Sequence, residues 1–150
     1  MKTVAHAMTR EVLAFAPETS LEGAARLLAN RHVSGAPVVD PGGRPLGVVT
    51  QHDITDPDRG RRSGVGQSLY YRIHSGVVEA RNDCGRVAAP GTVADVMTSF
   101  VVAVPPDKPL LEAARLLVTD NIHRLVIVEG QRILGIVTTM DLLRAFLPES

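Results

Sequence analysis

An α+β fold made of two similar β-α-β-β-α units is predicted for this 150-residue chain by three observations. The first is an internal repeat, the feature that most changes how a chain is read. Val4-Ala5-x-x-Met8-Thr9 returns as Val93-Ala94-x-x-Met97-Thr98, an offset of 97 − 8 = 89. At that offset Pro17 meets Pro106, and Ala24-Ala25-Arg26-Leu27-Leu28 meets Ala113-Ala114-Arg115-Leu116-Leu117. One residue is lost in a turn, after which Leu46-Gly47-Val48-Val49-Thr50 meets Leu134-Gly135-Ile136-Val137-Thr138 at 138 − 50 = 88, and Asp53 meets Asp141. The second observation is that a helical stripe sits between β-rich runs in both copies. The third is composition: 45% hydrophobic residues with 3% aromatics and no Trp. The core is therefore aliphatic.

Each unit justifies its elements in the same order. Val12–Phe15 and Val101–Val104 read as short strands. Thr19-Ser20-Leu21-Glu22 predicts a helix start, with Glu22 three residues after Thr19 as in a capping box. Leu21, Ala24, Ala25 and Leu28 follow at the spacing of one buried helical face. Leu110, Ala113, Ala114 and Leu117 repeat that stripe, with Pro109 expected in the first turn. Pro37-Val38-Val39 and Leu46–Thr50 flank the turn Asp40-Pro41-Gly42-Gly43. Leu125–Val128 and Ile133–Thr138 flank Glu129-Gly130-Gln131. Two such runs joined by a short Gly-bearing turn make a hairpin. A closing helix is predicted from Thr50 and from Thr138. The continuous run Leu125-Val126-Ile127-Val128 suits a strand buried on both faces. A fifty-residue unit buries too little surface to be comfortable alone, so the two are expected to pack sheet against sheet about a pseudo-two-fold axis.

The organisation is then one unit at 4–54, a second at 93–146, and an insert at 55–92. Asp56–Gly66 reads as a polar, solvated loop. Tyr70–His74 and Val77–Arg81 flank Ser75-Gly76 and predict a hairpin, whose Tyr70 and Tyr71 are expected to cover an edge of the core.

Charge and motif content exclude several classes of function. Sixteen Lys+Arg balance sixteen Asp+Glu, so no basic excess marks a nucleic-acid binder or an anionic-membrane binder. No apolar run has the length of a membrane span or the shape of a leader peptide. The single Cys84 cannot form an internal disulfide, which points to a reduced, cytoplasmic setting. There is no phosphate-binding G-x-x-x-x-G-K-[ST] loop, no H-E-x-x-H and no paired-cysteine pattern. The five histidines lack ligand spacing. Neither a metal nor a catalytic constellation is expected, so the reading of the chain as an enzyme has nothing behind it.

Several residues carry a family resemblance. They are Val4–Thr9, Pro17, Arg31-His32-Val33-Ser34-Gly35-Ala36-Pro37-Val38-Val39-Asp40 and Gly47–Ile54, with their counterparts Val93–Thr98, Asn121–Glu129 and Gly135–Leu143. Together they resemble a tandem pair of CBS domains, the arrangement called a Bateman module. The resemblance implies a regulatory or sensor module that binds an adenine nucleotide (AMP, ADP or ATP) or S-adenosylmethionine in clefts between the repeats. It also implies a homodimer acting on an unidentified protein target, as in energy sensing. The alternative is a ligand-free module for dimerisation or partner docking.

On spacing alone, Thr50-x-x-Asp53 and Thr138-x-x-Asp141 are capping boxes. A carboxylate at a strand-to-helix turn can also accept both hydroxyls of a ribose, and the two roles can coexist. The resemblance implies that each site crosses the repeat boundary. Thr138 and Asp141, with Met140 beside them, would face Leu13, Val33, Ser34, Gly35, Ala36 and Pro37, where small Gly35 and Ala36 would let a purine approach the backbone. Thr50 and Asp53 would face Ile122, His123 and Arg124, with Arg124 clamping a phosphate. Two departures from the family pattern are Val126 in place of the proline that Pro37 supplies, and Met140 and His52 where a small hydroxyl residue sometimes stands.

Overall fold

Turn chemistry and apolar spacing set the local structure, which the computed structural model describes over residues 2–55, 69–74, 77–82, 91–99 and 101–147. The first repeat contains β1 (Glu11–Phe15), α2 (Leu21–Arg31), β2 (Gly35–Val39), β3 (Pro45–Thr50) and α3 (Gln51–Thr55), preceded by a short helix α1 (Val4–Ala7). The insert supplies β4 (Leu69–His74) and β5 (Val77–Asn82). The second repeat has α4 (Val93–Val96), β6 (Ala103–Val104), α5 (Leu110–Thr119), β7 (Arg124–Glu129), β8 (Arg132–Thr138) and α6 (Thr139–Phe146). The Asp56–Gly66 loop, the Ser75-Gly76 turn and Cys84 lie outside the described residues.

The α2 cap differs from expectation. Ser20, not Thr19, is the N-cap: its Oγ accepts the Gly23 amide at 3.0 Å. Thr19 is buried and turned back to accept the Ala16 amide at 3.1 Å. Pro109 likewise sits at the N-cap of α5, one residue before the first turn, and offers no side-chain cap. Both α2 and α5 are followed by a residue near the left-handed region, His32 at φ 56° and Asn121 at φ 54°. The repeat therefore extends to backbone conformations that are uncommon outside glycine.

The strands form two sheets, in the orders β3-β2-β1-β4-β5 and β6-β7-β8. The insert hairpin adds to the edge of β1, antiparallel, from Glu11↔His74 through Phe15↔Tyr70. It thereby covers an edge that would otherwise present unpaired amides and carbonyls. Sheet packs on sheet through Val12, Ala14, Val39, Tyr71 and Ile73 of the first and Val126 and Ile133 of the second. Leu125 and Ile127 face the other way into the second repeat's helices, so β7 is buried on both faces. Tyr71 is buried, and burial together with Glu18 and Asp40 holds its hydroxyl above the usual phenol range.

The two repeats exchange their leading segments. Val4 and Met8 pack among Leu110, Ala113, Leu117 and Leu125 of the second repeat. Val93 and Val96 pack among Phe15, Leu21, Leu28 and Val49 of the first. Backbone bonds pin each crossing: Val4 N to Lys108 O at 2.8 Å, and Val93 N to Thr19 O at 2.8 Å. Thr9 pairs with Ile136 in one half and Thr98 with Val48 in the other. This crossing explains the glycine in each Leu-Gly motif. A Cβ at Gly47 would stand 2.5 Å from Thr98 O, and one at Gly135 would stand 2.7 Å from Thr9 O. Burying one aliphatic side chain of this kind contributes about 1.5–3 kcal/mol, so neither half is complete without the other's leading segment.

Candidate functional site

Both Thr-x-x-Asp motifs fold as their spacing dictates, with the carboxylate closing the strand-to-helix turn. Asp53 Oδ2 accepts the Thr50 amide at 2.9 Å and the Thr50 hydroxyl at 3.0 Å. Asp141 Oδ2 accepts the Thr138 amide at 2.9 Å, while the Thr138 hydroxyl accepts the Asp141 amide at 3.2 Å. The surroundings differ. Asp53 is buried, whereas Asp141 is only partly buried and its Oδ1 lies 3.7 Å from Arg144 Nη1.

A cleft of about 560 Å³ opens beside Asp141, large enough for a nucleotide-sized ligand. Its walls come from both repeats. The first contributes Thr9, Glu11, Val12, Leu13, His32, Val33, Ser34, Gly35 and Pro37. The second contributes His123, Arg124, Ile136, Thr138, Thr139, Met140, Asp141 and Arg144. The lining mixes aliphatic side chains such as Val12, Leu13 and Ile136 with hydroxyls, the carboxylates of Glu11 and Asp141, and the guanidinium groups of Arg124 and Arg144. The β7–α6 corner is held by the His123 carbonyl, which accepts from the Thr139 amide at 3.0 Å and from its hydroxyl at 3.2 Å.

Arg124 is one of two arginines in the lining, with Arg144. Its Nη2 donates to Ser34 Oγ at 2.9 Å, bridging the repeats. Its Nη1 is buried and has no hydrogen-bond partner among the described residues. Burial lowers its pKa from the ordinary guanidinium value, because desolvation disfavours the charged form. A buried donor left without a partner on a cation is costly.

The expected site residues are therefore partly regrouped. Leu13, Val33, Ser34, Gly35 and Pro37 do share a cleft with Thr138, Met140 and Asp141. His123 and Arg124, expected opposite Thr50 and Asp53, line this same cleft, because Arg124 reaches across the repeat boundary to Ser34. Ala36 does not open toward a ligand; its side chain is buried in the first repeat's core. The space over Gly35 is taken by the Arg124 guanidinium, which a Cβ there would overlap. Ile122 packs against the second repeat's core. Thr9, Glu11, Val12, His32, Ile136, Thr139 and Arg144 were not singled out by sequence. Arg144 was the most findable, lying one helical turn after Asp141; Thr9 reaches the cleft only through the exchange of leading segments. Among the described residues, no group of three or more His, Cys, Asp or Glu is placed to hold a metal ion, and no helix is long and apolar enough to cross a membrane.

Comparison with known proteins agrees with this architecture. The CBS domain family model matches residues 4–57 and 93–148. CBSX2, a chloroplastic CBS domain-containing protein of Arabidopsis thaliana, is 30% identical over 136 residues, covering 87% of this chain and 57% of that protein. A crystal structure of CBSX2 in complex with AMP superposes with a TM-score of 0.71 at 25% identity, over 97% of this chain and 96% of that one. The uncharacterised protein MJ1426 of Methanocaldococcus jannaschii is 29% identical over 136 residues, 81% of this chain and 78% of that protein. The inosine-5′-monophosphate dehydrogenase of the same organism is 26% identical over 145 residues, 96% of this chain but 23% of the enzyme. The chain thus spans about half of the plant relative and under a quarter of the dehydrogenase. With two family matches in register on two structurally equivalent halves, the chain belongs to the CBS domain family and is a tandem pair of such domains.

Proposed function

We propose that this CBS pair is a regulatory module that binds an adenine nucleotide in the cleft beside Asp141. The observation that carries the reading is the convergence there of Thr138, Asp141, Ser34 and the Arg124 guanidinium, whose buried Nη1 has no hydrogen-bond partner among the described residues. An aliphatic slot at Leu13, Val33 and Pro37 suits a purine, Asp141 Oδ1 suits a ribose hydroxyl, and Arg124 suits a phosphate oxygen. The AMP complex of the relative CBSX2 supports the same ligand class. Ligand binding would act on a regulated partner by favouring one arrangement of the two repeats over another, which requires different affinities for the two. Calorimetric titration with AMP, ADP, ATP and S-adenosylmethionine tests the reading. Saturable heat with an adenine nucleotide, matched by a raised melting temperature, is expected; silence with all four would overturn it.

A second reading, a dimerisation module, rests on a separate observation. Met140, Leu143, Phe146 and Leu147 of the α6 segment are more than half exposed, as are Leu111 and Val118 on α5. The equivalent positions of the first repeat are polar or small, with His52 for Met140, Thr55 for Leu143, Glu22 for Leu111 and Ala29 for Val118. A self-complementary contact through the second repeat would cover this face in a two-fold dimer. Sedimentation of Leu143→Glu alongside the unaltered chain decides it: a dimer that the charge converts to monomer supports the reading, and a monomeric unaltered chain removes it.

A further inference from the structure

Gly35 and Arg124 are one position of the repeat, since 124 − 35 = 89, and each opens the first strand of its hairpin, opposite Thr50 and Thr138 respectively. The pseudo-two-fold relation between the repeats therefore sets the smallest side chain against a long cationic one. The guanidinium fills the vacancy. Its Nη1 occupies the volume that a Cβ on residue 35 would need, and its Nη2 is tethered to Ser34. One guanidinium thus stands where two equivalent halves meet, and its position depends on residue 35 having no side chain.

We propose that the Gly35–Arg124 pair makes the two halves unequal as ligand sites, so that one phosphate-bearing ligand binds per chain, beside Asp141 and not beside Asp53. This rests on the reading of the cleft as an adenine nucleotide site and adds its stoichiometry and the source of its phosphate preference. Three observations support it. Arg124 and Ser34 line the Asp141 cleft together. Asp53 is buried at the same position of the first repeat, so a ribose reaching it must first displace what packs against it. Asp141 Oδ2 takes the Thr138 amide, and Oδ1 has a long contact with exposed Arg144. Gly35 is then a positioning residue: it keeps the cation where a phosphate can meet it.

Titration of the full chain with AMP and with adenosine, which lacks the phosphate, tests the pair directly. The expected result is one AMP per chain and a preference for AMP over adenosine of roughly 10- to 100-fold, the value of a charge-assisted hydrogen bond. Arg124→Gln and Gly35→Ala should each shrink that preference toward one, the second by displacing the guanidinium without removing it. Because a Cβ at residue 35 would also lie 2.9 Å from Val49 O, melting of Gly35→Ala is checked first, and Arg124→Gln carries the test if that variant does not fold. Asp141→Asn should weaken AMP and adenosine alike. Two AMP per chain, equal weakening of both ligands by Arg124→Gln, or an Asp53→Asn variant that folds but no longer binds AMP would overturn the inference while leaving nucleotide binding intact. No heat with either ligand would overturn the underlying reading as well.

Discussion

Asp53 and Asp141 occupy the same place in the two repeats, close the same turn with the same amide bond, and live in different surroundings. Asp53 is sealed in and serves the fold; Asp141 stands at the wall of a cleft. The difference does not lie in the motif. It lies in the surroundings of each turn: Asp53 is buried, whereas Asp141 lines the cleft. The lesson is that a duplicated capping box is free to become a binding group only where the second carboxylate oxygen stays accessible. Capping takes one oxygen and leaves the other for a ligand.

The comparison is tested most severely at the crossings, where the halves should behave alike. Gly47→Val and Gly135→Val each force a branched side chain against a backbone carbonyl of the other half's leading segment. Overpacking of this kind costs about 1–3 kcal/mol or more, and both variants should lose at least that in urea denaturation. A loss confined to one of them would show that the two crossings are not equivalent.

The halves should diverge at the two carboxylates. Asp53→Ala removes a buried carboxylate, leaves the part-buried Thr50 amide without its partner and should cost about 1–3 kcal/mol. Asp141→Ala removes a part-buried cap and should cost about 0.5–2 kcal/mol. With AMP present the order of damage reverses: Asp141→Ala should lose the ligand-induced rise in melting temperature, and Asp53→Ala should keep it. Equal behaviour with ligand would erase the distinction between the turns.

The smallest effects belong to the two long helices. Ser20→Ala removes the α2 cap and should cost about 1 kcal/mol. Pro109 supplies no cap to α5, so Pro109→Ser should recover about 0.5 kcal/mol, read as a shift in denaturation midpoint. If Pro109→Ser gains nothing, the backbone bond from Leu110 N to Lys2 O already serves that helix end.

Much of the fold was legible because the signals were local and doubled. The stripes at Leu21–Leu28 and Leu110–Leu117 gave the helices, and the runs around the Gly-bearing turns gave the hairpins. The α2 cap was misplaced by one residue because Thr19 and Ser20 have the same capping chemistry, and only the turn that buries Thr19 against the Ala16 amide separates them. The short helices Val4–Ala7 and Val93–Val96 were missed, since four residues carry no periodicity. Family resemblance grouped Leu13, Val33, Ser34, Gly35 and Pro37 with Thr138, Met140 and Asp141, and these residues line one cleft. The destination of Arg124 was not, because a long side chain can cross to either partner.

What the sequence by itself determined is the repeat, the element order, the aliphatic core and the residues able to cap or bind. Tertiary structure alone decided that the leading segments change places, that the insert hairpin joins β1, that Asp53 is buried, and that Arg124 lies over Gly35. The physical reason is distance along the chain. Periodicity and capping are settled within a few residues, whereas Arg124 and Ser34 meet across ninety, and that meeting depends on how two packed sheets fix the space between them.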